Sequence, residues 1–132
     1  MDALRQGIYD ALAADGTLTG LLAAYRSGYA IMDGYKLPAD MESPAVLYEV
    51  ISDTNFDSKT GRIRVIVVDF TIYTGVSGDP VTVAERIRTL LHRVSITVSG
   101  WTNIITEVNG PVQGAQDDST KTASLSVEFT LA

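Results

Sequence analysis

Between Arg62 and Thr74 the chain is dense in β-branched and aromatic residues, and from Ile66 onward the even positions Ile66, Val68, Phe70 and Ile72 are all apolar. Asp69 and Thr71 interrupt the odd positions, and a period of two with that composition predicts a strand with one buried face. Its first half is apolar on both sides, since Ile63, Val65 and Val67 alternate with Ile66 and Val68. Such a stretch needs cover on each side, from a helix or a partner subunit. Gly75-Val76-Ser77-Gly78 then breaks the strand, Asp79 stands at a capping position, and Pro80 falls in the first helical turn, where its missing N–H is not needed. Val83, Ile87, Leu90, Leu91 and Val94 recur at helical spacing, so a helix running to about Arg93 should lay one apolar stripe across the sheet.

The same reading extends along the rest of the chain. Asp2 is placed to cap a first helix with Leu4, Ile8, Ala11 and Leu12 on one face, and Asp15-Gly16 supplies its stop. A second short helix, started by Thr17 or Thr19, carries Leu18, Leu21, Leu22 and Tyr25. From Arg26 to Ser43 periodicity dissolves into glycines, prolines and aspartates mixed with Tyr29, Ile31, Met32 and Tyr35, large apolar groups that must be buried in the domain or against a neighbour. Pro44 opens a strand from Ala45 to Ile51, and Ser52 to Gly61 reads as a protruding polar loop carrying Phe56. After the main helix come two short strand candidates, Ser95 to Ser99 and Asn103 to Val108, and then a mobile loop from Gly110 to Ser119. Thr122 to Leu131 alternates without a fault, with Ala123, Leu125, Val127, Phe129 and Leu131 inward. The expected fold class is α+β: a mainly antiparallel sheet of about four strands, with an N-terminal helical pair and one central helix packed on it.

Composition narrows the function classes. A chain of 132 residues is one domain by size. It has no cysteine, which removes disulfides and thiolate metal sites. No apolar run reaches membrane-spanning length, and the N-terminus lacks a signal-peptide pattern, so no membrane association is expected. A formal charge of −6 argues against a surface that grips nucleic acid, since phosphate neutralisation needs clustered Lys and Arg.

Candidate chemistry is sparse. His92, the single histidine, falls on the polar side of the main helix and reads as a solvated residue, with no serine or cysteine site to join. Asp53-Thr54-Asn55-Phe56-Asp57 resembles half a calcium loop, but Ser58 replaces the turn glycine and Arg64 stands where the bidentate Glu belongs. Asp117-Asp118 reads as a solvated pair, and Gly75 and Gly78 lack the spacing and lysine of a phosphate loop. No catalytic residue, metal ligand or cofactor is therefore assigned. The surfaces with apolar groups left to bury are Tyr29, Met32 and Tyr35 in the irregular segment, Phe56 in the polar loop, and Ile63 and Val65 at the start of the long strand.

Taken together, the paired N-terminal helices from Leu4 to Tyr25, the strand Val46-Leu47-Tyr48-Glu49-Val50-Ile51-Ser52 opened by Pro44, the strand Arg64-Val65-Ile66-Val67-Val68-Asp69-Phe70, the helix with Ala84, Ile87 and Leu90-Leu91, and the alternating last strand resemble the tail terminator (tail completion) family of long-tailed bacteriophages. The segment from Gly28 to Ser43 departs from that pattern in its tyrosine and methionine content. The resemblance implies a homo-hexameric ring in the virion tail or neck, assembled in the host cytoplasm, that closes the head-proximal end of the tail tube. Its expected partners are copies of itself, the tail tube protein and the head completion or connector protein, with DNA passing through without specific binding. In such a ring Tyr29, Met32, Tyr35, Phe56, Ile63 and Val65 are the candidate interface residues, and Asp117 and Asp118 the candidate channel-facing loop. Two other readings are another phage neck, minor tail or head-completion protein, and a small-molecule-binding α+β domain, which would gather convergent polar groups in a pocket.

Overall fold

The computed structural model describes residues 1–58 and 61–132. Its elements are α1 (Asp2–Ala13), α2 (Gly16–Thr19), β1 (Ala24–Tyr25), β2 (Gly28–Tyr29), β3 (Ile31–Asp33), β4 (Ala45–Ser58), β5 (Gly61–Gly75), α3 (Pro80–Leu91), β6 (Asn103–Gln116) and β7 (Thr120–Leu131). The fold is α+β, with one five-stranded sheet in the order β3-β4-β5-β7-β6 and a separate β1-β2 ribbon. All neighbours in the larger sheet are antiparallel except β3 and β4, where Ile31–Asp33 runs parallel to Val46–Tyr48. The expected four strands thus become five, because the irregular segment contributes β3.

The core lies between the helices and one face of the sheet. Ile66, Val68, Phe70 and Ile72 of β5 and Ala123, Leu125, Val127, Phe129 and Leu131 of β7 are buried, matching the alternation of both strands. Leu4, Ile8 and Leu12 of α1 and Val83, Ala84, Ile87 and Leu91 of α3 cover them. Tyr48 of β4 stacks on Phe70 with ring centroids 5.6 Å apart, and its hydroxyl donates to the backbone oxygen of Arg5 at 2.9 Å, tying the sheet to α1. Gly7 lets α1 pass close to the chain at Thr97, where a Cβ would collide with the Thr97 carbonyl oxygen.

Several boundaries differ from the sequence reading. Met1, not Asp2, is the N-cap of α1, and Asp2 sits in the first turn, where its charge favours the helix N-terminus. The second helix is one turn, capped by Asp15, whose carboxylate accepts from the Leu18 N–H at 2.8 Å. It ends at Gly20, and Tyr25 pairs in the β1-β2 ribbon instead of extending a helical face. Helix α3 stops at Leu91, where His92 turns extended (φ −67°, ψ 114°), and Arg93 then takes a left-handed conformation (φ 57°), with Val94 exposed beyond it. Asp79 caps this helix as expected, accepting from the Val81 N–H at 3.1 Å.

The two expected loops are strands. β4 continues past Ile51 to Ser58 after a bulge between Val50 and Ser52, then pairs with β5 in unbroken register from Ser52 opposite Val67 to Ser58 opposite Gly61. Ladder hydrogen bonds from β5 override the weak strand preference of these polar residues, and Arg64 and Asp53 clasp across the pair at 2.6 and 2.7 Å. Lys59 and Thr60, also within the expected loop, lie outside the described residues. Likewise Gly110 to Gln116 is the second half of β6, which keeps its pairing with β7 through three register shifts. The expected strand Ser95 to Ser99 forms only a bridge between Val98 and Trp101. Its backbone is held by the buried Asn103, whose Oδ1 accepts from the Ile96 N–H at 3.0 Å and from the Thr106 hydroxyl at 2.9 Å.

Candidate assembly surfaces

The candidate interface residues divide into two groups. Phe56 of β4 and Ile63 of β5 are direct register partners near the outer end of the β4-β5 hairpin, 56% and 43% exposed, and half-buried Val65 follows Ile63 on the same face. β7 ends at Leu131 opposite Arg64, so the Phe56-Ile63 pair projects beyond the sheet's other strands. Tyr29, Met32 and Tyr35 lie elsewhere, on or just after β2 and β3, beside the first half of β4. Of these Tyr35 is 82% exposed and Met32 is half-buried. The sequence placed all six in one set; the sheet separates them along the strand direction.

Asp117 and Asp118 form the turn between β6 and β7, at the opposite end of the sheet from the Phe56-Ile63 pair. The two carboxylates are not equivalent. Asp117 Oδ1 accepts from the backbone N–H groups of Ser119 and Thr120 at 2.8 and 2.7 Å, and these bonds lower its pKa. Its own N–H donates to the Thr120 oxygen. It is therefore the organiser of a tight turn, in place of the mobile acidic loop expected from sequence, while Asp118 is exposed.

The sheet face turned away from the helices carries an acidic pattern that strand-by-strand reading missed. Register sets Glu49 directly opposite Asp69, and Glu107 directly opposite Glu128. Like charges placed opposite one another destabilise an isolated sheet. Arg93, 3.5 Å from Glu107, offsets part of this. Strand alternation gives the face of each carboxylate, but the pairing that brings them opposite one another appears only with the register.

His92 is likewise not a solvated helix residue. It ends α3, half-buried, and its Nδ1 accepts from the Val108 N–H at 3.0 Å. The Arg93 N–H donates to the Thr106 oxygen, and Arg88 Nη1 donates to the oxygens of Val108 and Gly110, each at 2.8 Å. The end of α3 thus occupies the outer edge of β6 over its first half.

The chain has the same fold as a chain of a solved structure described as the virion of a native gene transfer agent (GTA) particle, with a TM-score of 0.75 and 18% identity over 98% of this chain and 95% of that one. A second solved structure, described only by a sequence identifier, matches with a TM-score of 0.59 and 10% identity over 99% and 94%. No family model matches the chain, and no match is found among curated protein sequences. At these identities the likeness is one of fold.

A concavity of about 500 Å³ lies between α1 and the segment after α3 and is lined by Ala3, Gly7, Ala11, Leu90, Val94 and Ile96 among others. Its side-chain polar groups include Gln6 and Asp10, which hydrogen-bond to each other at 2.8 Å. Among the described residues no group of three or more His, Asp or Glu side chains is placed to hold a metal ion. Among the described residues no helix is long and apolar enough to cross a membrane.

Proposed function

We propose that this protein is a structural component of a phage-type virion, a tail terminator that caps the head-proximal end of the tail tube as a hexameric ring and joins it to the head connector. The observation that carries this reading is the shared fold with a chain of the gene transfer agent virion over nearly the whole of both chains. The apolar pair Phe56-Ile63 at the end of the β4-β5 hairpin and the exposed Tyr35, just after β3 on the same side of the sheet, are two separate apolar surfaces, and a head-to-tail ring needs two dissimilar ones. In that ring Tyr29, Met32, Tyr35, Phe56, Ile63 and Val65 meet neighbouring subunits or the tube and connector proteins. The turn at Asp117 and Asp118 and the sheet face with Glu49, Asp69 and Glu128 repel the DNA backbone, so that DNA passes without being held. In the hollow beside α1 the polar residues are Gln6 and Asp10, which hydrogen-bond to each other, with Ser95, Thr97 and Ser99.

The test is assembly. Light scattering after size exclusion, with electron microscopy of the protein alone and mixed with tail tubes, should show hexameric rings and tube ends closed by them. Monomers alone in both conditions would refute the ring and the terminator role together.

A further inference from the structure

Sheet edges expose rows of unpaired backbone groups, and soluble proteins cover or blunt them. Here one outer edge belongs to β6. Its first half is occupied by Arg88, His92 and Arg93, as described, and its second half is broken by Pro111 and by register shifts. The other edge belongs to β4 and is treated unequally. The short strand β3 covers Val46–Tyr48, with the Val46 N–H donating to Ala30 and the Tyr48 oxygen accepting from Gly34. Those two bonds fix the phase of the ladder. Past the bulge, alternation points the N–H and C=O groups of Asp53, Asn55 and Asp57 away from β5. Among the described residues, nothing from another element meets this edge from Ser52 to Asp57. It contains no proline, lysine or bulge.

We propose that the edge of β4 from Ser52 to Asp57 is a strand-addition site for an extended segment of a partner protein, with basic and apolar residues in alternation. The charges decide the occupant. Asp53, Asn55 and Asp57 share the ribbon face on which Arg62 and Arg64 lie one strand further in. Both arginines are engaged: Arg62 stacks 3.6 Å from the Trp101 ring and donates to the Gly100 oxygen, and Arg64 clasps Asp53. With Asp53 compensated by Arg64, the carboxylate left for an added strand to meet is Asp57, which has no salt bridge among the described residues. Pairing with β4 of a second copy, antiparallel about Asn55, would set Asp57 of each copy against the Asp53–Arg64 pair of the other, which offers it no free cation, whereas a lysine of a partner strand does. On the other face the added strand would run beside Phe56, which favours apolar side chains at the alternate positions.

The test uses the whole chain titrated with a peptide of alternating valine and lysine, and separately with one of alternating valine and glutamate, followed by amide NMR. The lysine peptide should shift the amides of Asp53, Asn55 and Asp57 and slow their hydrogen exchange, and the glutamate peptide should not. Asn55→Pro removes a donor that faces outward, a position where an edge strand tolerates proline, and should lose peptide binding at an unchanged melting temperature. Should that variant unfold, Asp57→Lys decides alone, by weakening capture of the lysine peptide. Equal response to both peptides, perturbation mapping elsewhere, no perturbation, or concentration-dependent protection of these amides without peptide would each overturn the assignment. Peptide capture and ring formation are separate observables, so a failure of one leaves the other standing.

Discussion

Replacing Phe70 by alanine tests the core where its layers meet. The ring is fully buried in the central strand β5, between β4 and β7, and it stacks on Tyr48, which itself reaches α1 through the Arg5 carbonyl. Truncating a buried Phe to Ala costs about 3–5 kcal/mol from lost transfer energy and the cavity left behind. Loss of the aromatic pair adds roughly 0.5–1.5 kcal/mol, which puts the expectation near the upper end of that range. For a domain of this size each kcal/mol is worth roughly 3–5 °C in melting temperature, so a fall of roughly 15–20 °C is expected. The assay is thermal and urea unfolding followed by circular dichroism, at a protein concentration where light scattering shows no assembly, because binding between subunits would add to the apparent stability. Phe56→Ala is the matched control: an exposed ring on the projecting hairpin should change monomer stability by less than about 0.5 kcal/mol. If the two variants melt together, or if Phe70→Ala loses under about 1 kcal/mol, the assignment of the strand faces is wrong.

Two further outcomes follow from the site geometry. Asp117→Ala should destabilise the β6-β7 turn, seen as faster amide exchange at Ser119 and Thr120, whereas Asp118→Ala should leave those amides unchanged. Burial pushes the Tyr48 phenol above its ordinary range. The neutral phenol is thus favoured in the folded state, and its contribution is complete below the unfolded value of about 10 and lost as pH rises above it. Urea midpoints of the wild type should therefore fall more steeply above that pH than those of Tyr48→Phe; parallel profiles would rule out this phenol as the cause.

The alternation of Ile66 to Ile72 and of Ala123 to Leu131, and the helical stripe from Val83 to Leu91 with its Asp79 cap, determined the core by themselves. Each pattern has a single amphipathic solution, and the residues that satisfy it are close in sequence. The α+β class followed from their order. Tertiary structure decided the rest wherever a backbone's hydrogen-bond partner lay far along the chain. Ser52 to Ser58 and Gly110 to Gln116 look like loops because their side chains carry turn and polar signals, yet β5 supplies an unbroken ladder to the first and β7 an interrupted one to the second, and both extend as strands. His92 looks solvated because its neighbours are polar, but β6 brings a bare N–H to its ring. The facing carboxylate pairs Glu49-Asp69 and Glu107-Glu128 and the open edge of β4 have no local signature at all. They are properties of register and of which strand lies outermost, and a one-residue slip would erase them.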